Sequence, residues 1–288
     1  MENVLVVTNF NAGRKKAVKY KKTVMKFLFV HSKYFRFIEL DELDDFDISI
    51  FDTIIAMGGD GTVNRIIPYL NGKNLGIIPC GTANLLAANL GISENIKKAL
   101  KVIEEENTVE TDLLDINGNP CVLRCGTGYD ADIICRTPQS LKNKFGYFAY
   151  FIAGILFSLR LKPKDYVIEC DGNAFEVKSS CIIIANAPNM YKNWVSVGVN
   201  SKINDGLADI FIFKVSNIIS FLYEFLRIVF NIKTDSSRAV YFKTDRLKIR
   251  NKSKSLHIDG EKKLLEGDIE VSIRSKSVKI FGHKTLSL

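Results

Sequence analysis

The sequence predicts an α/β domain followed by an antiparallel β-sandwich or barrel. Three observations predict it. Before Thr108, apolar strand-like runs alternate with helical stretches. Glycine-rich turns follow several of those strands. Beyond Thr108, short strand-like runs succeed one another, punctuated by Asn117-Gly118, Asp171-Gly172, Asp205-Gly206 and Asp259-Gly260.

The first part justifies itself element by element. Residues 4–8 read as a strand and residues 15–29 as a basic helical stretch. Residues 35–40 and 53–57 read as strands, residues 63–70 as a helix and residues 75–78 as a short strand. Helices then open at residues 85–90 and 96–106. Alternating βα units imply a mainly parallel sheet with helices on both faces. Ligands then bind at the carboxyl ends of the strands.

The second part reads as strands at residues 109–116, 122–126, 165–170, 180–186, 207–215, 246–249, 256–259, 268–273 and 278–281. Asp-Gly and Asn-Gly pairs are strong hairpin signals. Helical insertions are expected near residues 145–161 and 218–232. The expected domains are residues 1–118 and 119–288, with the last residues free to return to the first.

With 288 residues the chain is long enough to bury a full core in two domains. A formal net charge of +8 favours an anionic partner such as a nucleotide or an acidic membrane surface. The basic residues are dispersed and no nucleic-acid recognition motif is present, so no nucleic-acid partner is expected. The six cysteines have no metal or disulfide spacing, which suits a reducing compartment. The amino terminus reads directly as a strand rather than a signal peptide. Residues 145–159 are uncharged but shorter than a membrane span needs.

Three turns carry the chemistry. Residues 8–16 (TNFNAGRKK) follow the first strand, with Asn9 and Asn11 able to hydrogen-bond sugar or phosphate. Residues 58–62 (GGDGT) place Gly58, Gly59 and Gly61 around Asp60, ahead of Thr62. Residues 76–84 (GIIPCGTAN) turn through Gly81, Thr82 and Asn84. Glycines allow the backbone to approach a ligand closely, and backbone N–H groups at such turns suit phosphate. Three such turns in order, each at a strand's carboxyl end, point to one polyphosphate.

GGDGTVN followed by IIPCGTAN resembles the catalytic domain of diacylglycerol kinases, above all the soluble bacterial lipid kinases, and more distantly sphingosine and ceramide kinases. GTGYDAD (residues 126–132), INDGLAD (residues 203–209) and HIDGE (residues 257–261) resemble further segments of that family. The resemblance implies a nucleotide-binding domain related to phosphofructokinases and NAD kinases, joined to a lipid-binding β-sandwich. It implies ATP and Mg2+, with Gly58, Gly59, Asp60, Gly61 and Thr62 on the phosphates and Asp60 linked to the magnesium through water. Asn9, Asn11, Gly81, Thr82 and Asn84 would complete the nucleotide site. Asp205 would bind a metal with help from carbonyls at Lys202 and Leu207, and Glu261 would be the general base. Without the resemblance, HIDGE and INDGLAD read equally as Asp-Gly turns, and His257 reads as structural.

Phe10, Arg65 and Leu85 depart from the family pattern, where proline, glutamate and aspartate are usual. The expected activity is ATP-dependent phosphorylation of diacylglycerol or a related lipid in a cytoplasmic enzyme. The acceptor is expected in a cleft between the domains, with peripheral contact to an anionic membrane. The rivals are a kinase of a soluble acceptor, like NAD kinase or phosphofructokinase, and a silent lipid- or nucleotide-binding regulator. The oligomeric state stays open, a homodimer included.

Overall fold

The computed structural model describes residues 1–10, 16–138, 141, 153–154, 156, 161–186, 189–191, 195–196, 201–230, 232, 235–250, 255–264 and 267–283. Asn11 and most of the uncharged stretch 145–159 lie outside the described residues. The chain divides into two compact units. The first takes Met1–Asp112 and the return that starts at Ser275, and the second takes most of the intervening chain.

In the first unit, β1 (Asn3–Thr8), β2 (Tyr34–Glu39), β3 (Thr53–Gly58) and β4 (Asn74–Pro79) form a parallel sheet in the order β2-β1-β3-β4. Val4 to Val7 and Ile54 to Met57 are wholly buried. A strand covered on both faces needs a continuous apolar run, and that is what these residues supply. Each such side chain contributes about 1.5–3 kcal/mol by leaving water.

The helices are α1 (Lys16–His31), α2 (Asp60–Ile66), α3 (Leu85–Asn89) and α4 (Ile96–Glu104). Asn95 caps α4 by accepting from the N–H groups of Lys97 and Lys98. A Cβ on Gly76 would stand 3.1 Å from Ile55 and 3.2 Å from Ile103, so glycine lets α4 pack close to the sheet. The end of a long strand, Ile269–Phe281, runs parallel to β4, with Lys279 beside Asn74 and Ile280 beside Leu75.

The chain leaves the first unit along β5 (Thr108–Ile116). The second unit continues with β6 (Asn119–Cys121), β7 (Arg124–Gly128), α5 (Tyr129–Arg136), β8 (Lys164–Cys170), β9 (Asn173–Ser179) and β10 (Cys181–Ala185). A separate pair, β11 (Asn189–Tyr191) and β12 (Val195–Ser196), precedes β13 (Ala208–Phe213), α6 (Ile218–Val229) and β14 (Ala239–Thr244). Four strands finish the fold: β15 (Arg246–Arg250), β16 (Ser255–Ile258), β17 (Glu261–Leu264) and β18 (Ile269–Phe281).

Antiparallel β18-β15-β8-β9 faces the antiparallel sheet β14-β13-β10-β7-β16-β17. Between them lies one apolar core, with Tyr166, Ile168, Leu247 and Ile249 from the first sheet and Ile182, Ile184, Ile210 and Ile212 from the second. Ile183, Phe211 and Phe213 point the other way and meet Tyr129 of α5 and Phe221 of α6. The second sheet is therefore covered on both faces, which explains the unbroken runs CIIIA and DIFIF.

The α/β domain and the sandwich match the sequence expectation, with elements added and one merged. Strands β6, β9, β11, β12, β14 and β17 and helix α5 went unread. The two strands read at residues 268–273 and 278–281 are one. Lys276 adopts φ 50° within it, and its N–H donates to Asp112 Oδ1 at 2.7 Å, so the chain bends there without leaving the ladder. No helix among the described residues is long and apolar enough to cross a membrane.

Candidate active site

Strands β1, β3 and β4 are neighbours, so the turns at their carboxyl ends must meet. The N–H of Asn9 donates to Met57 O at 3.3 Å, and those of Cys80 and Gly81 donate to Gly58 O at 2.7 and 3.2 Å. The closest approach joins two glycines. A Cβ on Gly81 would lie 2.5 Å from Gly59 Cα and 2.8 Å from Asn84 Oδ1. A Cβ on Gly58 would collide with the Thr62 side chain, whereas one on Gly61 would meet only open space. The described parts of all three predicted turns thus form one backbone-lined surface.

Asp60 ties two of these turns together. Its Oδ2 accepts the Leu85 N–H at 3.1 Å and its Oδ1 accepts the Leu86 N–H at 3.0 Å. The carboxylate therefore caps the start of α3 while remaining partly exposed. Asn84 adopts φ 50°. Its side chain accepts from Gly81 N at 2.9 Å, donates to Gly81 O at 3.0 Å and reaches Glu94 Oε1 at 3.4 Å. Glu94 also meets Lys16 Nζ at 3.4 Å. Sequence reasoning missed Glu94, because no motif contains it. Beside it lies a cavity of about 250 Å³ lined by Ala83, Asn84, Ala88, Gly91, Ile92, Ser93 and Glu94. Burial pushes the Cys80 thiol up to about 11, so it is not a nucleophile at neutral pH. This surface presents amide groups, a carboxylate and close glycine backbone, which are the elements that hold a nucleotide's phosphates and an associated cation.

The departures at Phe10, Arg65 and Leu85 find partners. Arg65 donates to Asp44 Oδ2 at 3.0 Å on the surface. Lys21 Nζ stands 5.2 Å from the centre of the Phe10 ring. Leu85 serves Asp60 through its backbone N–H, which any residue other than proline could supply.

In the second unit, HIDGE forms a two-residue hairpin between β16 and β17, with Ile258 opposite Glu261. Asp259 at φ 48° and Gly260 at φ 87° make its corner, and an Asp-Gly pair suits two consecutive positive φ angles. Asp259 is turned inward, where it accepts from the N–H groups of Val122, Leu123 and Arg124 at 2.7, 2.8 and 2.9 Å. Glu261 is exposed at the start of β17.

Behind this hairpin lies a buried charge network. His257 Nε2 is 2.6 Å from Asp130 Oδ2, and Arg124 Nη1 donates to both Asp130 oxygens at 3.2 and 3.1 Å. A Cβ on Gly126 would stand 2.3 Å from Asp130 Oδ2 and 2.9 Å from His257 Nε2, so glycine makes the room. Burial alone would raise the Asp130 carboxyl, but Arg124 and His257 outweigh it and hold it at about 2. The Gly260 N–H lies 3.4 Å from His257 Nδ1, which links the network to the turn before Glu261. His257 is wholly buried beside Asp130.

Asp205 lies in a turn before β13, with Gly206 at φ 76°. Its Oδ1 accepts the Leu207 N–H at 3.1 Å and its Oδ2 accepts Lys243 Nζ at 2.7 Å. Lys202, exposed, and Leu207, partly exposed, flank that turn. Magnesium needs open carboxylate oxygens and room for water in a tight octahedron. Asp205 offers instead two oxygens already engaged by an amide and an ammonium, so this donor set does not fit the implied metal. Among the described residues no cluster of three or more His, Cys, Asp or Glu could hold one.

The comparisons agree with this architecture. The family described as diacylglycerol kinase catalytic domain matches residues 3–116, and the YegS C-terminal NAD kinase beta sandwich-like domain matches residues 124–281. The chain is 30% identical to the diacylglycerol kinase of Bacillus subtilis (strain 168) over 217 residues, 73% of this chain and 71% of that one. It is 28% identical to the diacylglycerol kinase of Staphylococcus aureus (strain Newman) over 216 residues, 73% and 68% of the two chains. A crystal structure of a candidate diacylglycerol kinase from Bacillus anthracis str. Sterne superposes with a TM-score of 0.82 at 22% identity, covering 99% of this chain and 96% of that one. That likeness concerns the fold.

Proposed function

The chain belongs to the diacylglycerol kinase family, and from that premise we propose that it transfers the γ-phosphoryl group of ATP to the hydroxyl of diacylglycerol or a related lipid alcohol. The observation that carries this reading is the meeting of Gly59 with Gly81 at the ends of three adjacent strands. There two glycine backbones meet with no Cβ between them.

Phosphoryl transfer depends on positioning and charge neutralisation more than on a strong base. Gly58 to Thr62 and Gly81 to Asn84 hold the phosphates, and Asp60 keeps the two turns in register. Asp60, whose carboxylate remains partly exposed, would help hold the magnesium carried with ATP, and that ion would supply neutralisation of phosphate charge. Glu261, exposed after its hairpin, orients the acceptor hydroxyl and takes its proton. The net charge of +8 favours docking on an anionic membrane, so activity falls as ionic strength rises.

Incubating the protein with labelled ATP and a panel of lipid alcohols and soluble alcohols tests the reading. Label in a lipid product supports it. Label only in soluble acceptors, or ATP binding without any transfer, rejects it.

A further inference from the structure

We propose that Lys243 supplies the cation of the INDGLAD turn from within the chain, in place of a divalent ion at Asp205. Strand register puts Lys243 of β14 directly opposite Asp209 of β13. From there its Nζ reaches Asp205 Oδ2 at 2.7 Å and Asp209 Oδ1 at 3.9 Å. Both Lys243 and Asp205 side chains are only 19% exposed. One ammonium therefore serves two carboxylates, one of them almost wholly buried.

Three of the four carboxylate oxygens around the turn are engaged, and Asp209 Oδ2 is buried without a hydrogen-bond partner. Asp205 Oδ1 takes the Leu207 N–H. Asp209 Oδ1 accepts Ser201 Oγ at 2.6 Å and Tyr241 Oη at 2.7 Å. A divalent ion approaching Asp205 would have to displace the ammonium or sit beside it against like-charge repulsion, in a partly buried site that screens it only in part. The lysine ammonium sheds its own hydration as the chain folds, and its tether gives it a high local concentration. The turn is thus pinned to β14 by an ion pair that chelators cannot remove.

The inference does not depend on the kinase reading, and its test uses neither nucleotide nor lipid. Thermal unfolding of the full chain is followed by circular dichroism in EDTA and then in Mg2+, Mn2+ or Ca2+ at matched ionic strength. The wild type is expected to unfold at the same temperature throughout. Lys243→Met is expected to lose roughly 5 °C and to regain part of it with divalent ions, while Lys243→Arg keeps the wild-type indifference. Should Lys243→Met fail to fold, Asp205→Asn decides. It should be destabilised equally in EDTA and in Mg2+ if lysine is the partner. A wild type stabilised by divalent ions, with the gain lost in Asp205→Asn, would overturn the proposal, as would a Lys243→Met protein as stable as wild type.

Discussion

Asp60 and Asp130 occupy similar places, each in the first turn of a helix that follows a strand ending in glycine, yet different partners hold them. Asp60 accepts the backbone N–H groups of Leu85 and Leu86 and stays partly exposed. Asp130 is buried and shared between a guanidinium and an imidazole. Arg124 and His257 neutralise Asp130, which makes it an internal strut. The first unit builds its site from backbone fit, and the second holds its candidate hairpin by charge pairing.

If backbone fit makes the first site, one methyl group should destroy it. Gly81→Ala sets a Cβ 2.5 Å from Gly59 Cα, and titration calorimetry should then find no ATP binding. Wild-type affinity in that variant would break the comparison. The second unit gives a complementary expectation. Glu261→Gln should lower kcat by about 10²–10⁴ while calorimetric ATP affinity stays unchanged, since Glu261 belongs to none of the three turns.

A smaller effect concerns the strut. His257→Ala leaves Asp130 buried with one partner fewer, and should cost about 3 kcal/mol in urea unfolding. The pH dependence is smaller again. Asp130 sits at about 2 when folded, below the roughly 3.9 of an unfolded aspartate. Its contribution of about 2 kcal/mol is therefore complete above pH 4 and is lost as pH falls toward 2. Replacing it by asparagine should flatten that part of the stability curve. An unchanged curve would mean that its partners do not hold the charged form.

The features readable in advance were those written in consecutive residues. GGDGT and CGTAN announce their turns because glycine and asparagine conformations are local, and the parallel order of β1, β3 and β4 brings the turns together. What escaped depends on residues far apart. Nothing in GGDGT says that Asp60 will cap α3 some two dozen residues on, and nothing in INDGLAD says that Lys243 will face it, because that follows from the β13–β14 register. Strand β9 went unread because only Val177 and Ser179 of its seven residues are buried, which leaves little alternation to see. Helix α5 begins on the residue after Gly128, inside GTGYDAD, a stretch given above only for its resemblance to the family.

The bend at Lys276 lets a single strand finish one unit and then complete the other. During translation β4 must wait for its neighbour, since Lys279 and Ile280 leave the ribosome about 200 residues after Asn74 and Leu75. Until then the nascent first unit carries an open edge that could recruit foreign strands. A stop codon just upstream of this strand's end would harm the lobe synthesised first.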